Sequence, residues 1–228
     1  MKLLHESHQI HFFVDNSDVT VNPHLMGTLL TRLGKHNVMP TFGNVINAIT
    51  GEKKQYINMV NSDESLRIEF PLDRIVIAKE GGDLNAFLGL SATLFTALNE
   101  IFPEKKANRL SIVNTRVFQG DTNQYNDIYR NLFTYKQAIP FEWDNRIAER
   151  KQLPSGELLN SISTVRRCRL AMPRLNVAEA IDGIICELDV NTINENRTPR
   201  FSLDDAHEKV KELSEELIRG IELLRRYF

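Results

Sequence analysis

His5, His8 and His11 stand three apart and make up half of the six histidines in the chain. On a helix that spacing would line the imidazoles along one side as metal ligands. The segment from Gln9 to Val14 alternates as a strand, however, and in a strand a step of three changes face. The trio therefore converges only across a break, and exposed terminal histidines are the expectation. Gly81 and Gly82 precede a helical pattern but lack the following Lys-Ser/Thr of a phosphate loop, so they are read as a turn with Asp83 as helix cap. Dinucleotide and nucleophile-elbow patterns are absent. Asp121 and Asp127 near Arg116 and Arg130, or Glu142, Asp144 and Glu149 along one strand, have the residue types of an acid–base site. Carboxylates on a solvated face are the ordinary explanation for them. No catalytic residue, metal ligand or cofactor is predicted.

The charge pattern is more informative than the net charge of −2. Lys and Arg against Asp and Glu give balances of −3 for residues 1–103, +6 for 104–175 and −5 for 176–228. Arg166, Arg167, Arg169 and Arg174 dominate the basic segment. Strand alternation puts Arg167 and Arg169 on a face with Ser161 and Ser163, and Arg166 on the other. Glu187 and Asp189 share a face of the next strand and could neutralise arginines across it. The alternative is a free basic surface, for which Arg146, Arg150, Arg167 and Arg169 are the candidate binding residues. No aromatic residue interleaves with arginine on that face, which gives little support to single-stranded nucleic acid. A pI near 6.3 is not the footprint of a duplex binder either.

The elements that position these residues fall into two similar strings. The first is a strand at Gln9 to Val14, then a helix with Asn22 as N-cap, Pro23 at its first position and Gly34 just past its end. Its apolar stripe is Leu25, Met26, Leu29, Leu30 and Leu33. Strands follow at Phe42 to Thr50, Gln55 to Val60, Ser65 to Phe70 and Arg74 to Ala78, and then a helix carrying Leu84, Phe87, Leu88, Leu94, Phe95, Leu98 and Ile101. The second string repeats the order: a strand from Leu110 to Phe118, a helix with Tyr125, Ile128, Tyr129, Leu132 and Phe133, and strands from Pro140 to Leu153, Leu159 to Met172 and Ala180 to Ile193. It closes with a helix from about Leu203 to Phe228, started by a capping box of Ser202 and Asp205. Trp143 and Phe141 are expected in the core.

This order predicts an α+β fold in which two strand-helix-meander-helix halves, 1–103 and 104–228, form one curved antiparallel sheet with helices packed on one face. The order resembles that of the TATA-box-binding protein. With 42% hydrophobic and 25% charged residues the chain has the apolar content for such a core. No run reaches the length of a membrane span and no secretory signal is visible at the N-terminus, so a cytoplasmic location is expected. Cys168 and Cys186 are read as free thiols in strands, pairing being open only if those strands are neighbours.

The run from Arg109 to Phe118, the strand ending at Glu187 to Thr192 and the helix entered through Phe201 to Asp205 resemble the second half of a sporadically distributed bacterial family of unknown function. The aromatic pair usual in the first of these strands is missing, as is the terminal Ile-Thr-Asp-like tail. The resemblance implies a cytoplasmic prokaryotic or phage-borne protein without an assigned reaction. Together these readings put first a non-catalytic binding or assembly protein, recognising another protein or a second copy of itself, in a phage or mobile-element setting. A nucleic-acid binder using the basic surface is the alternative, and an enzyme with an unorthodox carboxylate site is the third.

Overall fold

A computed structural model describes residues 1–46, 51, 53–171 and 179–227. The first half contains β1 (Lys2–Phe13), α1 (Pro23–Leu33), β2 (Val38–Ile46), β3 (Lys53–Asn61), β4 (Leu66–Glu69), β5 (Ile75–Glu80) and α2 (Leu84–Ile101). A short β6 (Lys106–Ala107) leads to β7 (Arg109–Gln119), α3 (Thr122–Leu132), β8 (Trp143–Gln152), β9 (Leu158–Leu170) and β10 (Ile181–Thr192). A short β11 (Phe201–Ser202) pairs with β6, and α4 (Ala206–Leu224) follows. The predicted ends of the second strand beyond Ile46 and of the ninth at Met172, with Arg174 and Phe228, lie outside the described residues.

Nine strands form one curved antiparallel sheet in the order β2-β3-β4-β5-β1-β7-β10-β9-β8. The first strand of each half lies at its centre, with His8 opposite Asn114 and Ile10 opposite Ile112. After the following helix, a meander starts at each outer edge and runs back to the centre, four strands in the first half and three in the second. The expected architecture of two similar halves is the one observed.

Alternation sorts the faces. Ile10 and Phe12 of β1, Leu110 and Ile112 of β7, and Leu188 and Val190 of β10 are buried under the helices with Leu94, Phe95 and Leu98 of α2 and Val210, Leu213 and Leu217 of α4. A smaller cluster puts Tyr125, Ile128 and Tyr129 of α3 on Trp143, Val165, Ile184 and Cys186 on the same side of the sheet. Each buried Leu, Ile or Phe contributes about 1.5–3 kcal/mol, so the helix side holds the hydrophobic stabilisation. The helices start where the sequence marks them. The Asn22 and Asp83 side chains accept from Leu25 N at 2.9 Å and Ala86 N at 2.9 Å, and Asp121 with Gln124 closes a capping box on α3.

Gly34 stands just past the end of α1 as expected; its backbone is right-handed and begins a 3-10 turn, and Asn37, at φ 58°, takes the left-handed place, which Asn tolerates. Two local expectations are corrected. Ser202 accepts from Asp205 N at 3.0 Å, but the Asp205 carboxylate takes the Ser202 hydroxyl at 2.7 Å rather than a backbone N–H, so the capping box is not reciprocal. Phe141 precedes β8 and is 77% exposed; only Trp143 enters the core.

Candidate functional site

The side of the sheet opposite the helices is uncovered by any helix among the described residues, and strand register arranges its side chains in ranks. One rank crosses all nine strands: Thr41, Asn58, Glu69, Val76, His11, Ser111, Asn191, Asn160 and Arg150. Eight of these nine are polar, and in the second half they are wired together. Arg150 Nε donates to Asn160 Oδ1 at 3.1 Å, Asn160 Nδ2 to Asn191 Oδ1 at 3.1 Å, and Asn191 Nδ2 to Asp189 Oδ1 at 3.0 Å. Asp189 Oδ1 also accepts from Ser111 Oγ at 2.7 Å. Arg150 closes the outer end on Glu195 at 2.8 Å.

Beside this rank, at the junction of the halves, Phe13 faces Arg109 in register. The Arg109 guanidinium carbon lies 4.6 Å from the Phe13 ring centroid and that of Arg74, from the residue before β5, lies 5.8 Å from it. The His11 ring stacks on Phe13 at 5.9 Å. Cation–π contact holds the two guanidinium groups on the Phe13 ring. Arg74 Nε and Arg109 Nε are buried and without a hydrogen-bond acceptor among the described residues, and His11 Nδ1 is likewise buried without a partner. Arg74 comes no nearer than 3.7 Å to Asp73, and Arg109 has no ion pair among the described residues. Burial, reinforced by the Arg74 charge, lowers the His11 pKa to about 4, so the ring is neutral at physiological pH. Its Nε2 lies 3.2 Å from Gln9 Oε1; with Nε2 protonated to donate there, Nδ1 is a free acceptor. Buried polar groups are ordinarily satisfied, and these three around one ring have no protein partner among the described residues.

Charge follows the same division. The open face carries Lys2, Lys54, Arg67, Arg74, Arg109, Arg146, Arg150 and Arg166 against Glu69, Glu80, Asp144, Glu187 and Asp189, with Asp73 and Glu195 added at its margin beside Arg74 and Arg150. It is cationic in a chain whose net charge is −2. A second aromatic ring, Tyr56, lies over Gly43, directly opposite it on β2, where any Cβ would collide with the ring.

The structure does not bring the four arginines singled out in the sequence to one face. Arg146 and Arg150 are exposed on the open face, Arg146 with no ion pair among the described residues. Arg167 points to the helix side, where it is 7% exposed, forks onto Asp182 at 3.2 and 2.8 Å, donates to Pro140 O at 3.1 Å and covers Tyr125 at 4.8 Å. That is scaffolding for α3. Arg169 shares its face and donates to Ala180 O at 3.3 Å. Glu187 and Asp189 stand opposite Thr164 and Ile162 instead. Arg166 pairs with Asp144 at 3.0 Å.

The histidine trio divides as strand alternation requires. His5 and His11 take the open face, His5 at 2.8 Å from Glu80. His8 is fully buried on the other, stacked on Phe87 at 5.3 Å and within 3.1 Å of Asn114, so exposed terminal histidines are not what the fold contains. The strand begins at Lys2 rather than Gln9, because β7 pairs with its whole length. Among the described residues no group of three or more His, Cys, Asp or Glu is placed to hold a metal. Asp121 caps α3, Asp127 pairs with Arg130 on the surface, and Arg116 pairs with Glu6.

Both cysteines are free: Cys186 is buried on the helix side and its thiol is pushed up to about 12 by burial. Cys168 stands opposite Gly183, with its pKa raised by burial. Glu216 in α4 is buried, yet hydrogen bonds from Lys151 at 2.7 Å and Arg219 at 2.9 Å overcome the burial and hold its carboxyl below the ordinary value. It is a structural anion, not an acid poised near neutrality.

No family model matches the chain, and no curated protein matches it. Among solved structures it is similar to a rolling circle replication initiator protein from Geobacillus stearothermophilus, with a TM-score of 0.32 and 13% identity, over 98% of this chain and 84% of that one. No helix among the described residues is long and apolar enough to cross a membrane.

Proposed function

We propose that the open face of the sheet binds a nucleic-acid strand. The observation that carries this reading is the Arg74–Phe13–Arg109 cluster: two guanidinium groups held on one ring, neither in a close ion pair among the described residues, where β1 ends and β7 begins on a face with a cationic surplus. Phosphate oxygens are the acceptors that such groups match. Arg146 and Arg150 extend the cationic track toward β8, and Tyr56 offers a flat ring toward β2. The aromatic residue missing from the basic strands is thus provided by β1, across the junction. A chain of low pI can bind a polyanion when its cations are segregated, as they are here from the acidic α4.

Fluorescence anisotropy with labelled single-stranded DNA, single-stranded RNA and duplex DNA over a salt series tests the proposal. Binding to at least one of these, weakening linearly in log salt, is the expected result. Absence of binding to all of them at low salt removes the reading.

A second reading, self-assembly, is favoured by the edge strand β2. Met39, Phe42, Val45 and Ile46 are exposed on its two faces, Ile46 by 64%, and exposed strand edges recruit further strands.

A further inference from the structure

A cavity of about 230 Å³ lies on the helix side, between the C-terminal end of α4 and the sheet. Its walls are Leu3, Phe118, Leu188, Ile221 and Leu224, with the Cys186 thiol at its base. Gly220 brings α4 down onto the sheet at Leu188, whose side chain a Cβ there would meet at 3.1 Å, so the cavity is bounded on that side by tight packing. Two guanidinium groups also border it, and they differ in one respect. Arg116 is neutralised: Glu6 Oε1 accepts from its Nε at 3.0 Å and Nη2 at 2.9 Å, and from Asn114 Nδ2 at 2.8 Å. Arg225 is exposed and has no ion pair among the described residues.

We propose that this cavity binds a small anionic amphiphile, with its hydrocarbon part among Leu3, Phe118, Ile221 and Leu224 and its carboxylate or comparable head group on Arg225. Apolar walls with one well-placed polar group are the usual composition of a small-molecule site. The volume falls below the roughly 300–1,000 Å³ range of drug-sized sites, which selects a short or medium chain over a long one. The uncompensated Arg225 selects an anion over a neutral molecule. The Cys186 thiol, protonated throughout the physiological range, adds apolar surface and no charge. The site is on the opposite side of the sheet from the open face, so its occupant does not compete directly for the surface proposed to bind nucleic acid.

Octanoate and octanol are suitable probes, titrated calorimetrically into the full-length protein. Octanoate is expected to bind with one-to-one stoichiometry and at least tenfold more tightly than octanol. Arg225→Ala is expected to remove that preference while leaving octanol binding unchanged. Leu3→Trp, at a partly exposed wall position where folding is not at stake, fills the cavity and is expected to abolish binding of both. No saturable octanoate binding, an equal affinity for the two probes, or binding unaffected by Leu3→Trp would each overturn the proposal.

Discussion

Phe13 and Arg109 face each other across the seam between β1 and β7, with the guanidinium carbon 4.6 Å from the ring centroid and the Arg109 Nε buried without an acceptor. The two residues belong to different halves of the chain, so the contact exists only because the halves share one sheet. Removing the charge tests what the contact is for. Arg109→Ala and Arg74→Ala should each weaken binding to the oligonucleotide selected by anisotropy by about 1–3 kcal/mol and flatten its salt slope by about one unit. The thermal midpoints should move only modestly, since a half-buried cation–π contact is worth about 0.5–2 kcal/mol. Unchanged affinity and slope in both variants would exclude the seam as the binding centre.

His11 makes stability depend on pH in a defined direction. Its pKa in the folded protein is lowered to about 4 by burial and then by Arg74, so between about pH 6.5 and 4 the unfolded chain binds the proton that the folded chain refuses. Stability therefore falls as pH falls through that window, and the loss reaches about 3 kcal/mol at its lower end. Urea unfolding of the natural protein and of His11→Gln at pH 7 and at pH 4.5 measures it. The natural protein should lose more stability than the variant, and equal losses would assign the pH dependence elsewhere.

Lys151 of β8 and Glu216 of α4 form an ion pair at 2.7 Å, with the carboxylate side chain only 6% exposed. Lys151→Met removes one of the donors that compensate a buried anion and should cost about 1–3 kcal/mol in urea unfolding. Lys151→Arg should recover most of it. The contribution is present at neutral pH and is lost as pH falls through the lowered pKa of Glu216.

The edge of β2 decides between monomer and assembly. If β2 pairs with a second copy, Val45→Lys places a charge in the new seam and shifts the sedimentation profile toward monomer. A natural protein that is monomeric throughout the accessible concentration range rules out the β2 edge as an interface.

Oligonucleotide preference is set by Tyr56 if its ring is used for stacking. Tyr56→Ala should then reduce affinity for single strands by about 1–3 kcal/mol per stacked base and leave duplex binding unchanged. An equal reduction for both would show that the ring only supports Gly43.

Much of the fold is legible in the amino-acid order because its signals are local. The Asn22, Asp83 and Asp121 caps act within three residues, the stripe from Ala206 to Ile221 is a property of one helix, and the alternation of β9 separates Arg167 from Arg166 wherever its neighbours lie. Those features fixed two similar α+β halves with helices on one side. What the sequence could not carry is the pairing between strands. Its long basic segment pointed to Arg146, Arg150, Arg167 and Arg169 as a group, whereas alternation and register give Arg167 to the helix layer and leave Arg146 and Arg150 on the open face. Arg74, Phe13 and Arg109 come from three separate parts of the chain, and none is marked by its neighbours in sequence. Only the antiparallel register of β5, β1 and β7 brings them together, since an extended backbone projects alternate side chains to one face and neighbouring strands lie about 4.8 Å apart.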